Sequence, residues 1–273
     1  MNGPLVLKLG GELIETAEAR EAFAAMVAAV RRTRPVAIVH GGGRAIDAEL
    51  ARRGIAPKKV DGIRITDAPT RDAVVAVLAG SANTDLVAAL VAAEVPAVGL
   101  TGVDAALGEA QRAGAMRSAS GEDVDLGLVG DPDEIDPGLA ELLMTAGYVP
   151  VVASLGIERG QGGAGILNVN ADVMASRLAS ALGAELIIAG TTAGVLDREG
   201  QVIASLTIPQ IDTLIAEGTA TAGMIAKLRA CRTALEEGVP SVRLVDGRTF
   251  GAGVAPAEAP GTTLIHSEQT VQA

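Results

Sequence analysis

The fold is decided by Pro4-Leu-Val-Leu-Lys-Leu-Gly-Gly11 and by a second stretch of the same kind, Pro35-Val-Ala-Ile-Val-His-Gly-Gly-Gly43. Each is an apolar run, typical of a buried parallel strand, that ends in consecutive glycines and leads into a helical pattern. Glycine lets the backbone turn sharply and lets a ligand approach the main chain closely. The helix start adds unpaired N–H groups and the positive end of the helix dipole. Two such turns at neighbouring strand ends predict an anion site, for which phosphate is the usual ligand.

Apolar runs and helical patterns alternate along most of the remaining chain. This alternation predicts an α/β protein, a three-layer α/β/α sandwich around a mostly parallel open sheet. We also expect a β-hairpin within residues 112–130 with its turn at Ser120-Gly121-Glu122, a glycine-rich turn at 160–165 and a loop at 247–261. The predicted strands lie near residues 4–9, 36–40, 96–100, 148–153, 185–190 and 241–245. The predicted helices lie near residues 16–33, 43–53, 69–92, 136–146, 170–182, 207–216 and 222–238.

Composition excludes several classes of protein. The chain has 273 residues, is 49% hydrophobic and carries a net charge of −11, with only three aromatic residues. Neither base stacking nor the release of phosphate counterions is then available for binding nucleic acid. The single Cys231 excludes an intrachain disulfide, and with only His40 and His266 no histidine- or thiolate-rich metal centre can form. With no signal peptide and no uninterrupted apolar run of about 20 residues, we expect a cytoplasmic protein that binds no membrane.

The predicted helix over residues 69–92 is nearly all Ala, Val and Leu. A helix that is apolar on most sides must be covered on most sides. It is either a central core helix or a subunit interface. We expect a homodimer joined through residues 69–92, and aspartate at Val77 or Leu86 should yield monomers or insoluble protein.

Three cations stand in unusual surroundings. Lys8 lies in an apolar strand, where an ammonium is costly unless an anion pairs with it; it either faces the anion site or reaches solvent. Lys227 is near a helix N-terminus, which disfavours a cation unless an anion compensates; the alternative is a solvated surface lysine. Arg64 lies in an extended run and could clamp a carboxylate with two hydrogen bonds, or form a structural pair with Asp61 or Asp67.

Asn168-Val-Asn-Ala-Asp172 precedes a predicted helix. Asn170 is a natural N-cap, and an acidic residue in the first turn suits the helix dipole. Capping accounts for Asn170 and Asp172 but leaves the polar Asn168 unexplained.

Taken together, these segments resemble the amino acid kinase family, and within it the branch that phosphorylates an acetylated amino acid. They occur in the family's order and span the chain from residue 5 to about 265. The matching segments are Lys8-Leu-Gly-Gly11, His40-Gly-Gly-Gly43, Gly62-Ile-Arg-Ile-Thr-Asp67, Leu78-Ala-Gly-Ser-Ala-Asn83, Gly147-Tyr-Val-Pro-Val-Val152, Asn168-Val-Asn-Ala-Asp172, Gly194-Val-Leu-Asp197 and Gly223-Met-Ile-Ala-Lys227.

The resemblance implies a kinase of arginine biosynthesis that transfers the γ-phosphoryl group of ATP, with Mg²⁺, to the side-chain carboxylate of N-acetyl-L-glutamate. It implies a single domain over residues 1–273, with a substrate lobe at about 1–183 and a nucleotide lobe at about 184–273. Lys8 and Lys227 would neutralise negative charge on the phosphoryl group during its transfer, and Asp172 would orient both lysines. Substrate would contact Gly42, Gly43, Arg64 and Asn168. ATP would contact Gly10, Gly11, Thr191, Thr192, Gly194, Val195, Leu196 and Gly223, with Gly10, Gly11, Gly42 and Gly43 offering backbone N–H groups.

Two other functions compete with this one. A kinase for carrier-protein-linked 2-aminoadipate or glutamate would be similar, but such enzymes tend to alter the third glycine of the His-Gly-Gly-Gly motif, which is intact at Gly43. A non-catalytic sensor of ATP or an amino acid would not need Lys8, Asp172 and Lys227 together. A dinucleotide-binding oxidoreductase is disfavoured because its Gly-x-Gly-x-x-Gly pattern, with a following acidic residue, is missing.

The resemblance also bears on regulation. Members of the family that arginine inhibits carry an extra helix ahead of the first strand. Since the first predicted strand begins by Leu5, we expect little inhibition by arginine and no hexamer.

Overall fold

A computed structural model describes residues 3–118, 121–159, 165–217, 222–252 and 255–267. The strands are β1 (Leu5–Leu9), β2 (Val36–His40), β3 (Lys59–Val60), β4 (Ile63–Arg64), β5 (Ala97–Thr101), β6 (Gly108–Arg112), β7 (Ala115–Arg117), β8 (Asp123–Asp125), β9 (Val129–Ile135), β10 (Val149–Ala153), β11 (Leu155–Glu158), β12 (Gly165–Val169), β13 (Glu185–Gly190), β14 (Ser205–Thr207), β15 (Val242–Asp246) and β16 (Gly261–Ile265). The helices are α1 (Ala17–Val30), α2 (Gly43–Arg52), α3 (Ala68–Val75), α4 (Asn83–Ala92), α5 (Gly138–Thr145), α6 (Ala171–Ala181), α7 (Ile208–Ala216) and α8 (Ala222–Glu236). A π-helical turn, Ala76–Ala82, joins α3 to α4, and short 3-10 helices cover Gly11–Leu13, Asp104–Ala106 and Gly247–Ala252.

An eight-stranded sheet forms the centre, in the order β14-β16-β15-β13-β1-β2-β10-β5. The six strands from β15 to β5 are parallel and are the six predicted from sequence. β16 pairs antiparallel to β15, and β14 lies beyond it. The predicted mostly parallel α/β sheet is therefore confirmed.

The two faces of β1 contribute to different parts of the core. Leu5, Leu7 and Leu9 pack with α1 and α4, whereas Val6 packs with α6 and α8 on the opposite face. Since side chains alternate along a strand, Lys8 lies on the same face as Val6. The alternation of β1 thus directs the one charged residue of the strand toward α6 and α8.

A second group of strands lies over the carboxyl ends of the main sheet and was not predicted. β11, β12, β9 and β6 form a small closed barrel, and β3–β4 is a separate hairpin. The predicted excursion within 112–130 is confirmed as the hairpin β7–β8, although Ser120 of its predicted turn lies outside the described residues. So do residues 160–164 of the predicted glycine-rich turn.

The predicted loop at 247–261 is wrong at its start, where residues 247–252 form a 3-10 helix. Asp246 Oδ1 accepts the Arg248 N–H at 3.0 Å and closes the first turn of that helix. Local carboxylate-to-backbone bonds of this kind favour turns even in sequences rich in glycine. Residues 253–254 lie outside the described part of the chain.

The helical run Ala68–Ala92 confirms the predicted long helix and is interrupted at Gly80, whose backbone (φ −98°, ψ −105°) is not helical. Within the described residues it is the one helix long and apolar enough to cross a membrane by length and composition alone. One side packs on the sheet, with Val77 at 3% and Leu86 at 0% exposure, while Val91 is 55% exposed. Val77 and Leu86 therefore belong to the protomer's own core, so aspartate at either position would disturb the fold of the protomer itself.

Candidate active site

Two adjoining cavities lie at the carboxyl ends of β1, β2 and β13, the edge at which open α/β sheets bind ligands. Their volumes are about 720 and 380 Å³. The larger is lined by the two glycine turns, the β3–β4 hairpin and β12, and the smaller by the segment after β13 and the first turns of α8. Both cavities are lined by Glu12, Asp172, Gly190 and Lys227, which therefore stand where the cavities meet.

A Lys–Asp–Lys cluster occupies this junction. Lys8 Nζ lies 2.8 Å from Asp172 Oδ1, with Lys8 only 8% exposed. Asp172 is in the first turn of α6, which Asn170 caps by accepting the N–H groups of Asp172 and Val173 at 2.8 and 3.3 Å. Lys227 approaches from α8, with Nζ 3.7 Å from the position that a Cβ on Gly190 would take. Glycine at the end of β13 thus leaves room for this ammonium.

Burial and mutual attraction set the protonation of the cluster. Burial favours the neutral form of Asp172, but the charges of Lys8 and Lys227 outweigh it and hold the pKa of this carboxyl below its usual value. Burial lowers the pKa of Lys227, while the nearby Asp172 opposes that change. With both lysines charged, Lys8, Asp172 and Lys227 together carry one excess positive charge, and the carboxylate of Glu12 lies at the same junction. The two ammonium groups can attract an anion there.

The two glycine turns pack against each other. A Cβ on Gly11 would lie 3.0 Å from Gly42 Cα and 3.1 Å from Gly43 N, so only glycine allows this approach. Gly42 is the N-cap of α2, and Gly43 is its first residue; N–H groups at a helix start have no acceptor within the helix. Gly10 differs, because its N–H donates to the Ala189 carbonyl at 2.9 Å. The expectation that the Gly10 N–H serves a ligand is therefore wrong, although Gly10 lines the larger cavity.

A buried histidine fixes the second glycine turn. Asn83 Nδ2 donates to His40 Nε2 at 2.9 Å and to the Val151 carbonyl at 3.0 Å. His40 Nδ1 therefore carries the proton and donates to the Gly41 carbonyl at 3.2 Å. Burial lowers the pKa of His40 to about 4, so this imidazole is neutral. The sequence analysis gave neither His40 nor Asn83 a role, although both lie in the matching segments.

The structure brings Arg64 and Asn168 together at the larger cavity. Asn168 Nδ2 donates to Thr66 Oγ1 at 3.1 Å, and Thr66 Oγ1 donates to the Arg64 carbonyl at 2.9 Å. The Arg64 guanidinium pairs with Asp47 on α2, with Nη1 and Oδ1 2.6 Å apart. The alternative pairing with Asp67 is wrong, because Asp67 instead caps α3 by accepting the Thr70 N–H at 2.9 Å.

The smaller cavity gathers only some of the residues expected at the nucleotide. Of those residues, Thr191, Thr192 and Gly223 line it, together with Glu12, which was not predicted. Three further expected residues, Gly194, Val195 and Leu196, line neither cavity among the residues described. The Val195 N–H donates to Thr262 Oγ1 at 2.8 Å, and its side chain is a core residue.

No group of three or more His, Cys, Asp or Glu is placed to hold a metal ion among the described residues. Mg²⁺ does not need such a cage, since it is commonly held by one or two carboxylates, substrate phosphates and water. Glu12 lines both cavities and supplies a carboxylate of this kind. The donor set therefore fits a magnesium ion that arrives with a nucleotide.

Comparison with known proteins gives a consistent result. A sequence profile described as the amino acid kinase family matches residues 3–246. The acetylglutamate kinase of Solibacter usitatus is 42% identical over 96% of this chain and 98% of its own length. That of Symbiobacterium thermophilum is 41% identical over 89% and 84%.

Solved structures share the fold. N-acetylglutamate synthase from Neisseria gonorrhoeae, complexed with coenzyme A and N-acetyl-glutamate, matches 97% of this chain with a TM-score of 0.81 at 22% identity. The present chain spans 60% of the length of that synthase. Carbamate kinase from Giardia lamblia matches 97% of this chain and 99% of its own, with a TM-score of 0.67 at 14% identity.

Proposed function

Because this chain belongs to the amino acid kinase family, we propose that it transfers the γ-phosphoryl group of ATP to the side-chain carboxylate of N-acetyl-L-glutamate. The relatives named acetylglutamate kinase, which match nearly the whole chain, support this choice of acceptor. The observation that carries the proposal is the Lys8–Asp172–Lys227 cluster where two cavities meet. Two anionic substrates can enter from opposite sides and react beside the excess positive charge.

The acetylated amino acid occupies the larger cavity. Arg64 binds its α-carboxylate, because the guanidinium presents several N–H groups in a planar fork. Asn168 keeps one amide hydrogen free beyond the one donated to Thr66, and this hydrogen and its carbonyl oxygen are available to the substrate. The side-chain carboxylate then points toward Lys8 and the N–H groups of Gly42 and Gly43.

ATP occupies the smaller cavity, with its phosphates directed at the junction. Gly11 at the first turn, and Thr191, Thr192 and Gly223 on the other wall, contact the nucleotide. Asn170 and Asp172 hold the start of α6 at the same place, so the positive end of that helix dipole also faces the phosphates.

Phosphoryl transfer then depends on position and charge rather than on a base. A glutamate side chain is ionised at pH 7 and needs no proton removed before it attacks. Lys8 and Lys227 neutralise the charge that moves between the two oxygens, and Asp172 keeps both ammonium groups in place. A magnesium ion, held by the phosphates and a carboxylate such as Glu12, would neutralise further phosphate charge.

We further propose a cytoplasmic homodimer that forms through the exposed side of the Ala68–Ala92 helix. Val91 is exposed there beside small residues of the same helix, and burial against a second copy would cover them. We also propose a single domain with a substrate lobe at about residues 1–183 and a nucleotide lobe at about residues 184–273.

The test is ATP-dependent formation of an acyl phosphate, trapped with hydroxylamine as a hydroxamate. N-acetyl-L-glutamate, L-glutamate and 2-aminoadipate are compared at equal concentrations. We expect hydroxamate from N-acetyl-L-glutamate in large excess over the other two. Preference for 2-aminoadipate would favour the carrier-linked kinase, and no hydroxamate with any acceptor would favour the sensor.

A further inference from the structure

The hairpin β3–β4 presents two cations side by side. Lys59 and Arg64 are directly opposite each other in this antiparallel pair, and residues in that relation project from the same face. Both line the larger cavity. Both also reach one carboxylate of α2: Lys59 Nζ lies 2.8 Å from Asp47 Oδ2, and Arg64 Nη1 lies 2.6 Å from Asp47 Oδ1.

Two contacts fix the plane of the Arg64 guanidinium. Nη1 contacts Asp47, and Nη2 donates to the Gly43 carbonyl at 3.2 Å. A guanidinium has five N–H donors, so three remain for a ligand after these two contacts. The Arg64 side chain is 7% exposed, which leaves it little room to turn.

The charges of Asp47, Lys59 and Arg64, called the trio below, also favour a carboxylate ligand. Burial raises the pKa of Asp47, but the hydrogen bonds and charges of Lys59 and Arg64 outweigh it and leave this pKa below its usual value, so Asp47 is ionised. An Arg64–Asp47 pair alone would be neutral and would attract a carboxylate less strongly. With Lys59 on the second oxygen of Asp47, one excess positive charge remains at the substrate cavity.

We propose that Asp47 and Lys59 are positioning residues for the acetylated amino acid: Asp47 orients Arg64 toward the α-carboxylate, and Lys59 offsets the charge that Asp47 introduces. This inference rests on the proposed function. It adds a preference for acceptors with a free α-carboxylate over the corresponding α-amide.

The test measures the Kd for N-acetyl-L-glutamate and for its α-amide by calorimetry. It distinguishes the orienting effect of Asp47 on Arg64 from the effect of the Lys59 charge. Lys59→Gln leaves the trio neutral, and we expect the Kd for N-acetyl-L-glutamate to rise about threefold to tenfold. The double variant Asp47→Asn/Lys59→Gln keeps the net charge of the unmodified trio but loses the orienting contact. For it we expect a Kd about tenfold higher, with weaker discrimination against the α-amide. The Kd for ADP should stay unchanged in both variants, whereas the Tm should fall in the double variant, where the buried Arg64 loses its carboxylate partner.

The matched control is Glu49→Gln/Lys58→Gln, which makes the same charge changes on α2 and beside β3. Glu49 pairs with Arg53, 2.7 Å away, and neither control residue lines the cavities described. Affinity restored to normal in the Asp47→Asn/Lys59→Gln variant would overturn the orienting role, as would an equal loss in the control. A normal Kd in Lys59→Gln would overturn the charge argument.

Because binding is measured without turnover, this test is separate from the test of the proposed function. An unmodified protein that binds N-acetyl-L-glutamate but forms no hydroxamate would contradict the proposed function and leave the present inference testable. Failure of the unmodified protein to bind it overturns the inference.

Discussion

At the scale of single residues, the site contains charged side chains whose burial costs free energy unless an opposite charge lies close by. Lys8 is tolerated inside a parallel strand because Asp172 lies 2.8 Å away on α6. Removing one partner of a buried pair leaves an uncompensated charge. The positions of Lys8 and Asp172 are therefore tied to each other, and we expect a change at either residue to affect both stability and the charge beside the substrates.

Substitution of either lysine should affect the chemical step most. In Lys8→Arg and Lys227→Ala we expect kcat to fall by about 10²–10³ while KM changes little, as for other preorganised charges. Steady-state kinetics at saturating ATP and N-acetyl-L-glutamate measure this. Lys58→Ala, an exposed lysine outside the cavities described, is the control. Near-normal kcat in either variant would mean that its lysine is structural.

Arg64→Lys should act on one substrate only. Lysine keeps the charge but cannot make two parallel bonds to a carboxylate. We expect KM for N-acetyl-L-glutamate to rise by about tenfold or more, with KM for ATP nearly unchanged. Equal increases in both constants would instead show that Arg64 supports the fold around the site.

His40 makes stability depend on pH. Its pKa is lowered to about 4 in the fold, compared with an ordinary value of 6.5. The unfolded chain therefore binds more protons between these values, and stability is lost as pH falls from 6.5 toward 4. We expect His40 to contribute a loss of about 2 kcal/mol between pH 7.5 and 5. Urea unfolding of His40→Gln should lack this loss, whereas the exposed His266→Gln should retain it. The same pH dependence in both variants would contradict the assignment.

At the scale of elements, the six parallel strands could be predicted from the sequence because each lies in a short, mainly apolar run. The strands β6 (Gly-Glu-Ala-Gln-Arg) and β9, which contains Pro132, show no such run. Their pairing is decided by partners far along the chain, so local patterns could not predict the small barrel. Lys8 and Asp172 stood out as polar residues at strand and helix ends. Asp47 and Thr66 did not, because their roles depend on contacts between separate elements.

The exposed side of the Ala68–Ala92 helix should carry the dimer interface. Val91→Asp places a charge on that side without disturbing the protomer's core. We expect monomers in sedimentation experiments at micromolar concentration, where the unmodified protein is a dimer. Leu142→Asp, the same kind of change at an exposed residue of α5, is the control. A monomeric unmodified protein would contradict the proposed interface.

At the scale of the whole molecule, a chain of net charge −11 must bind two anions. We expect it to do so with cations that lie close to carboxylates at one edge of the sheet. Asp172 pairs with Lys8 and interacts electrostatically with Lys227, and Asp47 pairs with both Lys59 and Arg64. Lys8, Asp172 and Lys227 together carry one excess positive charge, as do Arg64, Asp47 and Lys59, so cations are concentrated at this edge of a negative protein.

The most direct test of phosphoryl transfer to the side-chain carboxylate follows a carboxylate oxygen atom of the acceptor into inorganic phosphate. N-acetyl-L-glutamate labelled with ¹⁸O only in its side-chain carboxylate is incubated with the protein, ATP, Mg²⁺ and hydroxylamine. Hydroxylamine displaces the acyl phosphate at carbon, so the bridging oxygen leaves with the phosphate. We expect inorganic phosphate that carries one ¹⁸O atom, in an amount equal to the hydroxamate formed. Unlabelled phosphate, released with ADP and without hydroxamate, would show that water is the acceptor and would contradict the account.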